Sequence, residues 1–105
     1  MKFLFIFLFI ILSVPVLSQA DELTHAIGDT GYMIQDAMWA NAYKLDRHNY
    51  NKAVRLQYEA KEYMRGTHKK GRHKNLAMQK TKEAYQFAKS ARDNALYQSG
   101  EIASD

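Results

Sequence analysis

The stretch Leu76-Ala77-Met78-Gln79-Lys80-Thr81-Lys82-Glu83-Ala84-Tyr85-Gln86-Phe87-Ala88-Lys89-Ser90-Ala91-Arg92-Asp93-Asn94-Ala95-Leu96 decides the fold. Ala77, Thr81, Ala84, Ala88, Ala91 and Ala95 follow one another at steps of 4, 3, 4, 3 and 4, which places them on a single stripe of a helix. A stripe of small side chains lets two helix backbones approach closely, and the larger Leu76, Tyr85, Phe87 and Leu96 are placed to close its edges. Asn75 is a suitable cap, so a helix is expected over residues 75–97. The only Pro is Pro15, and Gly occurs at 28, 31, 66, 71 and 100 alone. So few breakers among so many Ala, Lys, Glu, Gln, Leu and Met favour helix nearly throughout.

Working outward, the partner of this helix is expected to be residues 46–65, with Ala53, Leu56, Ala60 and Tyr63 as its stripe and Val54 and Met64 on the flank. Asp46-Arg47-His48-Asn49 is polar and able to cap its start. Between the two helices, residues 66–75 hold two glycines and no aliphatic side chain, a loop that would let them return antiparallel as an αα-hairpin. Upstream, Leu23, Ile27, Thr30, Ile34 and Ala37 mark a first helix over about 23–45. Gly28 and Gly31 each cost up to about 1 kcal/mol against Ala in a helix interior, which puts the regular part of that helix from near Tyr32. Asp21, Glu22, Asp29 and Asp36 lie in its amino-terminal half, where negative charge suits the helix macrodipole. Periodicity alone leaves open whether 23–45 and 46–65 are separate helices or one helix with a bend. Residues 99–105 read as a flexible tail.

The leading residues have a different composition. Lys2 is followed by an apolar run from Phe3 to Leu12, then by Pro15 and the small-residue ending Ser18-Gln19-Ala20. These are the n-region, h-region and cleavage site of a secretory signal peptide, so residues 1–20 are expected to be removed and the mature chain to begin at Asp21. Loss of Lys2 leaves 14 Lys and Arg against 11 Asp and Glu, a net charge of +3. A mature chain of 85 residues buries only about 60–65% of its unfolded surface, so its core is thin. It has no Cys, which excludes disulfides, thiol catalysis, thiolate metal sites and a lipid-modified amino-terminal cysteine. The expected fold is therefore all-α: a signal peptide over 1–20, then a small three-helix domain over 21–98 with an antiparallel hairpin core.

Ala37-Met38-Trp39-Ala40-Asn41-Ala42-Tyr43, Tyr50-Asn51-Lys52-Ala53, Glu59-Ala60-Lys61-Glu62-Tyr63-Met64-Arg65-Gly66 and the run from Glu83 to Ala95 resemble the alanine-rich, three-helix bacterial envelope domain of unknown function. That domain looks like a short tetratricopeptide-style hairpin with an extra leading helix, and it is found in exported lipoproteins and ahead of OmpA-type peptidoglycan-binding domains. The likeness covers most of residues 23–97. This chain departs from the pattern in having no lipobox Cys, no attached OmpA-like domain and a longer, more basic loop between its last helices. The resemblance supplies no catalytic residues.

Charge is segregated along the chain. Arg65 to Lys82 contains seven Lys or Arg and no Asp or Glu, whereas residues 21–36 contain four acids and no Lys or Arg. Charge runs most often form only a solvated face. The functional reading is an anion-binding patch at Lys69, Lys70, Arg72 and Lys74 for lipid head groups, lipopolysaccharide or anionic glycan. Nucleic acid is a further anion of this class but the less expected one, and self-association of one molecule's acidic end with another's basic end is left open.

Seven Tyr and one Trp are expected to pack mainly at the core and its edges, with their polar tips wet. Trp39 and Tyr43, four residues apart, form the alternative protein-binding surface. His25 with Asp29 and Asp46 with His48 have the chemistry of acid/base pairs, but that work needs a shaped pocket, which no motif here implies. His68 and His73 sit among cations that oppose a metal ion. The sequence reading is thus an exported, non-enzymatic helical binding or scaffolding module of the bacterial periplasm or envelope, with no cofactor. Its partner would be an envelope protein or an anionic surface. The alternative is a secreted cationic protein acting at anionic membranes or glycans.

Overall fold

A computed structural model describes residues 22–66 and 73–100. The expected leader, the end of the tail and the loop cations Lys69, Lys70 and Arg72 lie outside the described residues. Helix α1 covers residues 22–39, α2 is the single turn Ala42–Leu45, α3 is Arg47–Arg65 and α4 is Lys74–Gln98. No strand occurs among the described residues. The fold is all-α, as expected, with four helices packed together where three were anticipated.

The additional helix arises from two breaks in the expected 23–45 segment. Asn41 adopts the left-handed conformation, φ 66°, and its N–H donates to Met38 C=O at 2.9 Å, closing α1. Asn is one of the few residues other than Gly that enters that region at low cost. Asp46, at φ −143° and ψ 66°, then ends α2, and its side chain accepts from the Asn49 N–H to start α3. The chain reverses direction across these breaks, so α1 and α3 are separate, antiparallel helices.

Within α1, helix runs unbroken through Gly28 and Gly31, against the expectation of a regular start near Tyr32. The magnitudes explain the difference. Leu23 and Ile27 are both buried, and burying such side chains gives about 1.5–3 kcal/mol each, more than the roughly 1 kcal/mol that each Gly costs. Met33 completes the buried stripe, while Ile34 is half-buried. At the other end of the hairpin, α4 begins one residue before the expected Asn75 cap. His73 N–H donates to Tyr63 C=O at 3.0 Å and His73 C=O accepts from Ala77 N–H at 2.9 Å, so closure of the hairpin sets the start.

Helices α3 and α4 form the antiparallel hairpin. Asp46 meets Asn94 at one end, Gln57 meets Thr81 midway, and Tyr63 meets His73 at the other. Helix α1 lies along both, antiparallel to α3 and parallel to α4. Leu23 and Ile27 pack with Tyr63 and Ala77, Met33 with Ala53 and Ala88, and Ala37 with Ala42, Ala91 and Ala95. Every member of the α4 stripe has 0% exposure.

One buried polar cluster joins all three long helices. Thr30 Oγ1 donates to Thr81 C=O at 3.0 Å, and the Thr81 hydroxyl lies 2.8 Å from both Thr30 Oγ1 and Gln57 Oε1. Gln57 Nε2 in turn donates to Ile27 C=O at 2.8 Å. A hydroxyl has a single proton, so Thr81 donates to one of these two acceptors at a time. No buried side-chain N or O among the described residues is left without a partner. Such a cluster fixes the register of three helices, because shifting any one strands a polar group at a cost of about 1–3 kcal/mol.

The seam leaves no room for larger side chains. Ala88→Leu is expected to overpack the contact with Met33 and Ala53, destabilising the domain by about 1–3 kcal/mol, whereas Lys89→Leu on the exposed face should be neutral in thermal melts. Equal tolerance at both positions would contradict the packing.

Candidate functional site

The close alanine contacts leave little interior volume for rings, so most aromatics are displaced outward. Of the seven Tyr only Tyr63 is buried; Tyr32 is 71% exposed, Tyr58 65%, Tyr97 55% and Trp39 68%. The expected packing role holds for Tyr63 in the core and for Tyr50 and Tyr85 at its edge, and is corrected for Tyr32, Trp39, Tyr58 and Tyr97.

Trp39 is the last residue of α1 and Tyr43 lies in α2. They do not share a helix face, since the Asn41 break separates them, yet the turn brings both to one concavity of about 580 Å³ lined also by Met38, Asn41 and Tyr50. Tyr50 comes from α3 and meets Tyr43 edge-on, with ring centroids 6.3 Å apart. Lys44 Nζ stands 5.6 Å from the Tyr43 ring centroid, and Leu45 beside it is exposed. This aromatic end of the bundle is braced by the last turns of α4. Gln98 Nε2 donates to Leu45 C=O at 3.0 Å, and Asn94 Nδ2 donates to Asp46 Oδ2 at 2.7 Å.

Asp46 holds this end together. Besides Asn94, it accepts from the Asn49 backbone N–H at 3.4 Å and from Asn49 Nδ2 at 2.8 Å. Partial burial pushes its carboxyl up, but the hydrogen bonds from the Asn94 and Asn49 side chains and the Asn49 backbone, with the nearby His48 charge, outweigh burial and hold it below the ordinary carboxylate value. Its oxygens serve as cap and brace rather than as half of an acid/base pair with His48.

Of the four loop cations singled out in the sequence, only Lys74 is described, exposed on the first turn of α4. A second basic surface went unnoticed. Arg47, His48, Asn51, Lys52 and Arg55 line a concavity of about 630 Å³ on the side of α3 turned away from its buried stripe. Lys52 Nζ sits 4.5 Å from the Phe87 ring centroid, a cation–π contact that holds it against α4. The signal was present as a three-and-four spacing of polar residues, His48, Asn51, Lys52 and Arg55, but the denser run of cations at Lys69–Lys74 outweighed it.

A third groove, of about 500 Å³ between α1 and α4, has Asp29, Asp36, Tyr32, Tyr85 and Lys82 on its walls and Thr30 and Thr81 among its lining. Among the described residues no three His, Asp or Glu side chains converge on a metal-binding geometry, and no helix is long and apolar enough to cross a membrane. Compared with known proteins, the chain matches no family model, no curated protein and no solved structure.

Removing the Asp46 brace is measurable. Asp46→Ala should cost about 0.5–2 kcal/mol through loss of the cap. A carboxylate whose folded pKa is depressed contributes stability that is present above its unfolded pKa and lost as pH falls through the folded value. Asp46→Asn should therefore flatten the acid limb of a stability–pH profile measured by urea titration. An unchanged acid limb would refute this role.

Proposed function

We propose that the protein is an exported, non-enzymatic helical binding module of the bacterial envelope, with the aromatic end of the bundle as its contact surface. The observation that carries this reading is Trp39, 68% exposed beside exposed Met38 and Tyr43 on a turn tied down by Asn94 and Gln98. Burying a large apolar side chain is worth about 1.5–3 kcal/mol, so a Trp held in water on a braced turn withholds a gain that a partner can supply. Trp and Tyr are the residue types that dominate binding energy in interfaces. The leader-like residues 1–20 support the setting.

A second reading, a cationic protein acting at anionic surfaces, is favoured by the exposed basic residues on α3 and by the loop cations Lys69, Lys70, Arg72 and Lys74. The basic residues at the start of α3, Arg47 and His48, adjoin the aromatic end, whereas Lys74 lies at the opposite end of the hairpin.

Fractionation of producing cells tests the proposal without assuming the partner. The processed product, beginning at Asp21 by amino-terminal sequencing, should be recovered with the envelope, and Trp39→Ser/Tyr43→Ser should move it to the soluble fraction with an unchanged melting temperature. A product that keeps its leader, or an envelope association indifferent to both substitutions, would overturn the reading.

A further inference from the structure

We infer that the basic back of α3 and the adjoining aromatic end form one docking face for an anionic lipid bilayer, an inference that rests on the reading of the aromatic end as a contact surface. Charge is the first argument. Between Ala42 and Tyr58 the chain holds Lys44, Arg47, Lys52 and Arg55 against a single acid, Asp46. That acid is directed to Asn49 and Asn94 at the bundle end rather than to the cations. The ion pairs given by the described residues, Lys80 with Glu59 and Arg92 with Asp93, leave these cations out.

Placement is the second argument. Arg47, His48, Asn51 and Arg55 are exposed and lie on the face of α3 opposite Ala53, Leu56, Gln57 and Ala60, where they line a concavity that opens outward. Arg47 and Arg55 stand about two helical turns apart on that face, a spread of charge that suits a surface bearing many head groups.

Apolar groups at the same end supply the third argument. Met38, Trp39, Tyr43 and Leu45 are 41%, 68%, 39% and 37% exposed. Trp and Tyr favour the head-group level of a bilayer, where the ring is half apolar and the polar tip stays wet. Cations near an anionic leaflet add attraction that decays within a Debye length. A small apolar insertion flanked by cations is the two-signal combination that reversible membrane attachment requires.

Trp39 is the only tryptophan and therefore reports directly on insertion. The exported product, purified as secreted, is titrated with vesicles of phosphatidylcholine alone and of equimolar phosphatidylcholine and phosphatidylglycerol, at low and at physiological salt. Trp39 emission should shift to the blue with the anionic vesicles only, and binding should weaken as salt rises. Lys44→Ser/Arg47→Ser/Arg55→Ser should lower the partition coefficient about fivefold per charge, on the order of a hundredfold together, with melting unchanged. Replacing Lys69, Lys70, Arg72 and Lys74 with Ser should leave the blue shift in place. No binding to anionic vesicles at low salt, equal binding to both vesicle types, or loss of binding in the loop variant but not in the α3 variant would each overturn the inference. If vesicles fail while envelope association still depends on Trp39 and Tyr43, the binding-module reading stands with a protein as partner.

Discussion

Ala77, Thr81, Ala84, Ala88, Ala91 and Ala95 have no exposed surface, and the other two long helices meet α4 along them. Small side chains bring backbones close, and that spacing constrains everything else. A methyl group gives little burial energy by itself, at about 0.8 kcal/mol per buried carbon unit, so the bundle relies on many such contacts and on Leu23, Ile27, Leu56 and Tyr63 near its ends and edges. An alanine seam is also permissive of sliding, since one methyl resembles the next. The cluster of Thr30, Gln57 and Thr81 removes that freedom, because its hydrogen bonds close in one register only.

The same constraint accounts for the surface. With helices packed through alanine, Tyr32, Trp39, Tyr58 and Tyr97 have no interior site of adequate size and stand outside. Most are scattered singly, which is ordinary for a soluble surface. At the α1–α2 turn they are not scattered. Met38, Trp39, Tyr43 and Tyr50 converge from three helices, and the carboxy-terminal turns of α4 hold the turn through Asn94 and Gln98. The fold thus couples its most regular element, α4, to its most irregular one, the break from Ala40 to Asp46.

The hairpin was legible because α3 and α4 carry stripes at uninterrupted helical spacing, that of α4 almost all alanine, and all ten stripe positions read from their spacing are buried. The reversal at Asn41 was not, because a left-handed Asn has no sequence mark comparable to a Gly. Gln57 was missed for a related reason. A polar residue is buried only where partners converge on it, and here they come from Ile27 and Thr81, 30 and 24 residues away. Trp39 and Tyr43 were paired on the assumption of one continuous helix; the turn unites them instead, and adds Tyr50. The basic face of α3 was readable from its spacing but competed with a denser run of cations in the loop.

Seam and polar cluster together imply that α1 is an integral part of the bundle and holds Trp39 in place as firmly as the hairpin holds Tyr50. Native-state amide hydrogen exchange measures this directly, since it reports the free energy of opening residue by residue. Amides at Thr30, Met33 and Ala37 should exchange with the same opening free energy as those of Ala84, Ala88 and Ala91, and both sets should respond to denaturant with the same slope. Exchange of the α1 amides at a much lower opening free energy, with α4 still protected, would show that α1 detaches alone and would contradict the account.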